Sequence, residues 1–234
     1  MRTLSAMWQS LREWILWLGS RGGLFLAAIL AIVAGVWGFI ALADEVRDGD
    51  TGHFDRAANR FFYDHPGPRW VQDAGRDITA LGGITVLALV VLAVAGYLLL
   101  TRRRGMLTLV VAATLGALLL TTGLKHVIDR PRPPLRHEGV IVYTTSFPSG
   151  HSALSACIYL TLGGLLGRAS RRRTIEFYFL FLAATLTFLI GCSRVYLGAH
   201  FPTDVLAGWT VGLVWAIVCW LVARELQRRR VVEP

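Results

Sequence analysis

The segment Ser193–Asp204 combines an arginine, a histidine and a carboxylate in one short connection between two apolar runs. Pro202 suits the first position of a helix, and a helix that starts there places His200 and Asp204 roughly one turn apart, facing each other. A carboxylate in that position orients the imidazole and fixes its tautomer, as an activated nucleophile requires. A histidine and an aspartate at a helix start can also serve only as a cap, so this pair alone does not decide the function.

Basic residues occur where they could surround one anion. Lys125 and Arg132 belong to the segment K-H-V-I-D-R-P-R-P, residues 125–133, and Arg194 lies in the connection described above. Arginine offers two parallel donors to phosphate oxygens, and lysine offers a movable point charge. Arg130 lies just before Arg132 and is a possible auxiliary cation. These residue types predict binding of a phosphate group.

A third segment, P-S-G-H at residues 148–151, opens an apolar run. A helix that begins there leaves its first backbone N–H groups unpaired, with the positive end of the helix dipole beside them. Such a helix start binds phosphate readily, and Gly150 lets an anion come close to the backbone. We therefore expect Ser149 and Gly150 to contribute to a phosphate site that His151 borders.

Each of these residues also has an interpretation without chemistry. Lys125 at a helix end can be a membrane anchor whose charge reaches the interface, Ser149 can be a helix cap, and Arg194 can simply pair with Asp204. A lone histidine near a membrane interface is more often structural than catalytic. The prediction of an active site depends on the coincidence of all three segments on one face of one membrane.

The composition indicates a helical membrane protein. Of 234 residues, 54% are hydrophobic, which is too apolar for an ordinary soluble domain, and uncharged apolar windows recur at about the length that spans a bilayer. The formal net charge is +9, but the arginines cluster at the ends of apolar runs. That position predicts contact with membrane lipids through their anionic headgroups, and it argues against nucleic acid as a partner.

We predict an all-α fold: a polytopic membrane protein with one six-transmembrane-helix bundle, in a single membrane-embedded domain at residues 1–234. Residues 1–20 repeat apolar residues at helical spacing between charges, which predicts an N-terminal interfacial helix. Residues 44–76 are predicted as a periplasmic loop whose aromatic residues form either an interfacial belt or an amphipathic segment on the membrane surface. The predicted spans are Leu24–Leu42, Ile78–Leu100, Met106–Leu124, His151–Gly167, Phe177–Cys192 and Val205–Ala223.

The basic residues also predict the orientation of the bundle. The arginines at 102–104, at 168–173 and in the C-terminal tail fall on one side of a six-span arrangement, together with the N-terminus, and the positive-inside rule makes that side cytoplasmic. The candidate site segments fall on the opposite side. All histidines lie there or at its membrane boundary: His53, His65, His126, His137, His151 and His200. Glycines at 163, 167, 208 and 212 have the spacing that lets membrane helices approach closely.

The three motifs resemble those of a known family. K-x6-R-P (Lys125–Pro133), P-S-G-H (Pro148–His151) and S-R-x5-H-x3-D (Ser193–Asp204) are similar, in type and order, to the signature motifs of the type 2 phosphatidic-acid phosphatase superfamily. That family includes membrane lipid phosphatases, polyprenyl-diphosphate phosphatases, soluble acid phosphatases and vanadium haloperoxidases. The resemblance runs from about the third predicted span to the sixth, and the family spacing selects Arg132 rather than Arg130.

The resemblance implies hydrolysis of a phosphate ester or anhydride through a phosphohistidine, without a metal or another cofactor. In that mechanism His200, oriented by Asp204, attacks phosphorus, while His151 protonates the leaving oxygen and later activates water. The implied phosphate-binding residues are Lys125, Arg132, Ser149, Gly150 and Arg194. The outer segments also lack a tight carboxylate cluster of the kind that would hold Mg²⁺.

The expected substrate is a lipid phosphate or diphosphate, because a site at the membrane boundary lets the tail stay in hydrocarbon. We expect a bacterial inner (cytoplasmic) membrane protein whose site faces the periplasm or cell exterior. Among family members of this size and topology, undecaprenyl diphosphate phosphatase is the first candidate, with phosphatidylglycerophosphate, phosphatidic acid and lipid A 1-phosphate as close alternatives. A lipid-to-lipid phosphotransferase would have the same motifs. A non-catalytic transport protein is disfavoured, because only Glu176 is a charged residue near a span.

Overall fold

The computed structural model describes residues 21–134, 144–169 and 172–228. Within these ranges the regular structure is helical and no β-strand occurs, so the predicted all-α class is confirmed. The predicted interfacial helix at residues 1–20 lies outside the described residues. The helices are α1 (Arg21–Asp48), α2 (Gly52–Asp64), α3 (Arg69–Ala80), α4 (Ile84–Leu100), α5 (Arg104–Val127), α6 (Gly150–Ala169), α7 (Arg173–Tyr196) and α8 (Pro202–Arg228).

Within the described ranges, four helices are long and apolar enough to cross a membrane: α1, α5, α7 and α8. Helices α3 and α4 meet at a bend of 48°, and this pair makes a fifth candidate span if it is counted as one. The second predicted span, Ile78–Leu100, contains that bend at residues 81–83. Helix α6, predicted as the fourth span, is not in this set, so the count of six spans stays a prediction.

The prediction of a loop at residues 44–76 is wrong. Helix α1 continues to Asp48, and the rest of the region contains α2 and much of α3. Both short helices are amphipathic: Asp55 and Asn59 of α2 are buried, whereas Phe61 and Trp70 are exposed. The amphipathic alternative therefore describes this region better than a belt of aromatic residues on a loop. Hydropathy does not detect such helices, because neither contains a continuous apolar run.

Helix α6 packs closely against α7 and α8 through the predicted glycines. A Cβ atom placed at Gly212 would lie 2.3 Å from the Ala153 carbonyl oxygen, and one at Gly163 would lie 2.9 Å from the Phe179 carbonyl oxygen. Contacts this short leave no room for a side chain, so the helix backbones approach as the small-residue spacing predicted. Gly167 and Gly208 make comparably close approaches.

The surface of the bundle is apolar where lipid would contact it. Large exposed side chains lie along α1, α4, α5 and α7, for example Trp37, Leu100, Leu119 and Phe181. Helix α6 is largely buried, with Ala153, Leu154, Ala156, Cys157 and Ile158 in the core. Helix α6 is thus a buried central helix surrounded by apolar helices, and the candidate site lies at the end where it begins.

Candidate active site

A cavity of about 730 Å³ lies where α5 and α7 end and α6 begins. Its lining includes residues from all three sequence motifs. These are Lys125, Arg132, Gly150, His151, Arg194 and His200. Apolar side chains complete the wall, among them Ile84, Leu118 and Leu154. The structure thus brings six of the eight predicted site residues to one cavity, while Ser149 and Asp204 are fully buried and absent from its lining.

A glycine turn places His200 at the cavity. Helix α7 ends at Tyr196, and Gly198 takes a φ of +67°, a left-handed conformation that L side chains rarely adopt. The N–H groups of Ala199 and His200 then both donate to the Arg194 carbonyl, at 3.0 and 3.2 Å. This turn reverses the chain between α7 and α8, so that His200 and Arg194 line the same space.

The hydrogen bonds of His200 determine its tautomer. Its Nε2 lies 3.0 Å from Nη1 of Arg132, and because a guanidinium can only donate, Nε2 must be the acceptor. The ring proton is therefore on Nδ1, which lies 3.5 Å from Oδ2 of Asp204. That distance exceeds an ordinary N–H···O hydrogen bond, so the carboxylate faces the ring proton without a close bond in this structure.

Burial keeps the His200 imidazole neutral. The residue is 2% exposed, and burial lowers its pKa to about 4. Asp204 opposes this shift, and the positive charges of Arg132 and Arg194 add to it. At neutral pH the ring therefore has an unprotonated Nε2, whose lone pair is available to an electrophile once Arg132 moves its donor to a ligand.

Asp204 is held from several directions in the first turn of α8. Its Oδ1 accepts from Nη1 of Arg130 at 2.6 Å, and its Oδ2 accepts from the Phe201 N–H at 2.8 Å and from the Ser146 hydroxyl. The alternative that Arg194 is the ion-pair partner of Asp204 does not describe this site. Nη1 of Arg194 instead donates to the Thr79 hydroxyl at 3.0 Å.

The cations on the cavity are held by uncharged oxygen atoms. Lys125 donates to the Thr145 carbonyl at 2.7 Å. Arg132 donates to the carbonyls of Thr144 and Ala199 at 2.6 and 2.7 Å. Nε of Arg194 is buried and has no hydrogen-bond partner among the described residues. Such a concentration of positive charge, with a buried donor that meets no acceptor among the described residues, suits a multiply charged anion.

The start of α6 differs in detail from the sequence-based expectation. The Ser149 N–H donates to the Asp204 carbonyl at 2.9 Å, and the Ser149 hydroxyl oxygen accepts from the Ser152 hydroxyl at 3.0 Å. Ser149 thus caps α6 and links it to α8, and its N–H is not available to phosphate. Gly150 and His151 supply the first-turn N–H groups at the cavity, which lack intrahelical partners by helix geometry.

Comparison with known proteins identifies the family. The model of the PAP2 superfamily matches residues 105–228, a range that contains all three motifs. The chain belongs to the PAP2 superfamily. This confirms the resemblance that the motifs indicated, since the type 2 phosphatidic-acid phosphatases are that superfamily.

Relatives of this PAP2 chain include a phosphatidylglycerophosphatase B from Bacillus subtilis, which is 35% identical over 62% of this chain and 71% of the relative. A lipid A 1-phosphatase from Rhizobium etli is 29% identical over 62% of this chain and 68% of the relative. Among solved structures, a transmembrane PAP2-type phosphatidylglycerolphosphate phosphatase from Bacillus subtilis superposes with a TM-score of 0.79. That match covers 84% of this chain and 98% of the solved one, at 27% identity.

Several polar residues of this PAP2 site were missed by sequence reasoning. Ser146 and Thr79 contact Asp204 and Arg194, and neither belongs to a motif. Asp55 of α2 binds Arg130, the residue that the sequence left as an auxiliary cation. The repeated Arg-Pro pair in R-P-R-P could have indicated a role for Arg130 in the site. Asp55 had no comparable signal, because its partner lies 75 positions away along the chain.

Proposed function

We propose that this protein is an integral membrane phosphatase that hydrolyses a lipid phosphate or diphosphate through a phosphohistidine formed on His200. The observation that carries the proposal is the position of Nε2 of His200, which is unprotonated and faces a cavity lined by Lys125, Arg132 and Arg194. A nucleophile and an anion site in one cavity are the two requirements of covalent phosphoryl transfer.

In the first step Nε2 of His200 forms a bond to phosphorus as the bond from phosphorus to the leaving oxygen breaks. His151 takes part as the imidazolium, which the bound phosphate anion stabilises, and donates its second ring proton to that oxygen. As the ring becomes positive, Asp204 stabilises the proton on Nδ1. In the second step a water molecule attacks phosphorus, His151 takes a proton from it, and the nitrogen–phosphorus bond breaks.

The three cations and the start of α6 would stabilise the charge that spreads over the phosphoryl oxygens. Arg132 is already within hydrogen-bond distance of Nε2 of His200, so its guanidinium can exchange this acceptor for a phosphate oxygen beside the nucleophile. The first-turn N–H groups of α6 add the positive end of a helix dipole. Such preorganised donors are usually the largest single contribution to a reaction of this type.

A lipid substrate is favoured by the wall of the cavity and by the relatives. Ile84, Leu118 and Leu154 line the cavity together with the cations, so a phosphate and the first part of an apolar tail fit the same space. Relatives are named for phosphatidylglycerophosphate and for lipid A 1-phosphate. The candidate substrates also include phosphatidic acid and undecaprenyl diphosphate, which is the first candidate from the sequence. The site would lie at the outer leaflet of a bacterial cytoplasmic membrane.

We propose that the reaction needs no metal ion. Within residues 21–134, 144–169 and 172–228, no group of three or more His, Cys, Asp or Glu side chains could hold a metal ion. The positive charges of Lys125, Arg132 and Arg194 would also repel a divalent cation from the cavity. Phosphate release should therefore be unchanged in excess chelator, and its loss, with recovery on adding back a divalent ion, would exclude this mechanism.

The decisive experiment measures phosphate release by the purified protein from these lipid phosphates and diphosphates, with soluble phosphate esters beside them. At least one lipid should be hydrolysed far faster than the soluble esters. His200→Ala should abolish hydrolysis, whereas His53→Ala, which removes an exposed histidine of α2, should not. Retained turnover in His200→Ala, at the same folded fraction, would disprove the phosphohistidine.

A further inference from the structure

Behind the cavity, a buried charge network connects α2 to the carboxylate that faces His200. The Arg130 guanidinium lies between two carboxylates: Nη1 donates to Oδ1 of Asp204 and Nη2 donates to Oδ2 of Asp55, both at 2.6 Å. The side chains of Arg130, Asp55 and Asp204 are 12%, 1% and 0% exposed. None of the three is in the lining of the cavity, so the network acts on a ligand only through other residues.

Thr203 and Phe201 close the network. The Thr203 hydroxyl accepts from Nη1 of Arg130 at 2.8 Å and donates to Oδ2 of Asp55 at 2.6 Å. The Thr203 N–H reaches Oδ1 of Asp55 at 3.3 Å, and the Phe201 ring lies 4.5 Å from the Arg130 guanidinium carbon. Asp55 therefore fixes both the arginine and the start of α8, where Asp204 lies.

A purely structural role explains this network poorly. Burying charges is costly, and an apolar cluster of similar volume would hold α2 against α8 at least as well. The network has an effect that an apolar cluster cannot have, because the Arg130 guanidinium pairs with both Asp55 and Asp204. The pairing partly neutralises Asp204, and the extent of this neutralisation sets how much negative charge faces the ring proton of His200.

We infer that Asp55 and Arg130 are positioning residues for phosphoryl transfer, which fix the orientation and the effective charge of Asp204 toward His200. This inference rests on the proposed function and adds α2 to the machinery of the site. The two residues act in opposite directions. Without Asp55, Arg130 would neutralise Asp204 more completely; without Arg130, Asp204 would present its full negative charge.

The opposite signs give a test that a structural role would not reproduce. Asp55→Asn should move the acid limb of kcat/KM to lower pH, because a less negative Asp204 stabilises the His200 imidazolium less. Arg130→Gln should move that limb to higher pH. Among the described residues, the charged and titratable groups that act on His200 or share its cavity stay the same in both variants: Asp204, Arg132, Arg194, His151 and Lys125. The substrate is also the same, so its own titration cancels in the comparison.

We expect kcat to fall about tenfold in each variant, with little change in KM, since neither residue lines the cavity. Arg130→Lys keeps the charge but cannot bridge two carboxylates with a planar fork. It should retain the wild-type acid limb while its kcat falls. Asp73→Asn is the matched control, because it removes an exposed carboxylate paired with Arg76 on α3, and it should change neither quantity.

Each outcome decides one proposal. Opposite shifts of the acid limb in Asp55→Asn and Arg130→Gln support the inference, and if one of them does not fold, the other together with Arg130→Lys decides it. Acid limbs that stay at the wild-type pH, with activity reduced only in proportion to the folded fraction, overturn it. Activity that survives in His200→Ala would instead overturn the proposed function.

Discussion

Nη1 of Arg132 lies 3.0 Å from Nε2 of His200, at the atom through which the imidazole would attack a phosphoryl group. The same Nη1 lies 2.7 Å from the Ala199 carbonyl, and Nε of Arg132 lies 2.6 Å from the Thr144 carbonyl. Nη2 also donates to the Thr144 hydroxyl at 3.0 Å and to the Thr145 carbonyl at 3.2 Å. The guanidinium is thus anchored through all three of its nitrogens, and its donor to His200 can move to a substrate oxygen without loss of these anchors. In the proposed reaction, Arg132 would hold the His200 imidazole in the unliganded site and bind phosphate in the liganded one.

Arg132→Ala should lower kcat/KM about 30- to 1,000-fold, which corresponds to about 2–4 kcal/mol of transition-state stabilisation. Arg132→Lys should be nearly as damaging, because an ammonium cannot keep these anchors and also reach phosphate. Steady-state kinetics on the best lipid substrate check this. Arg69→Lys, at an exposed position in α3, is the control, and equal activity of Arg132→Lys and wild type would contradict the need for a guanidinium at position 132.

Gly150→Ala should weaken phosphate binding without destabilising the protein. A Cβ atom there would lie 3.9 Å from both Lys125 Cε and Thr121 Cγ2, which is ordinary van der Waals contact. The protein can therefore accept the methyl group, but the methyl would occupy the space between Lys125 and the start of α6 that an anion needs. We expect the inhibition constant of inorganic phosphate to rise about tenfold, with an unchanged or higher melting temperature.

Gly164→Ala is the matched control for that substitution, because it lies on the same helix and a Cβ atom there lies within 4 Å of no atom in the described part of the chain. It should leave the inhibition constant of phosphate unchanged. An unchanged inhibition constant in Gly150→Ala as well would show that no anion approaches this part of the helix.

The convergence of the motifs could be predicted from the sequence because helix ends are constrained by the membrane. Lys125, His151 and His200 follow or precede long apolar runs, and the distribution of arginines placed those ends on one face. The structure brings all three to one cavity. Local pattern was sufficient for that result, since each residue is tied to the end of a helix.

The supporting contacts could not be predicted in this way. Asp55 lies in a short amphipathic helix among other charged residues, and its burial depends on Arg130, far away in sequence. The Ser149 N–H donates to the Asp204 carbonyl and is therefore not available to an anion, and this hydrogen bond depends on how α6 meets α8. Pairings of this kind are set by tertiary packing, and no periodicity or motif in one segment encodes them.

Gly212→Ala should destabilise the bundle. Its Cβ atom would lie 2.3 Å from the Ala153 carbonyl oxygen and 2.6 Å from the Ala156 side chain, so α6 and α8 would have to move apart. Overpacking of this kind costs about 1–3 kcal/mol, and thermal unfolding in detergent should detect it. Gly96→Ala is the control, because a Cβ atom there contacts none of the described residues within 4 Å. Equal melting temperatures for Gly212→Ala and wild type would contradict the close approach of these helices.

The pH dependence of stability should reveal the buried imidazole. The pKa of His200 is about 4 in the folded protein against 6.5 for an ordinary histidine. Between these values the unfolded chain binds more protons at this residue than the folded protein does, so this histidine makes unfolding more favourable as the pH falls from 6.5 to 4. Above pH 6.5 both states are neutral at this residue and its contribution is constant. The melting temperature of the wild type should therefore fall over that interval, and the fall should be smaller in His200→Gln, which has no titrating ring. An equal fall in both proteins would mean that other groups cause it and that the imidazole does not resist protonation.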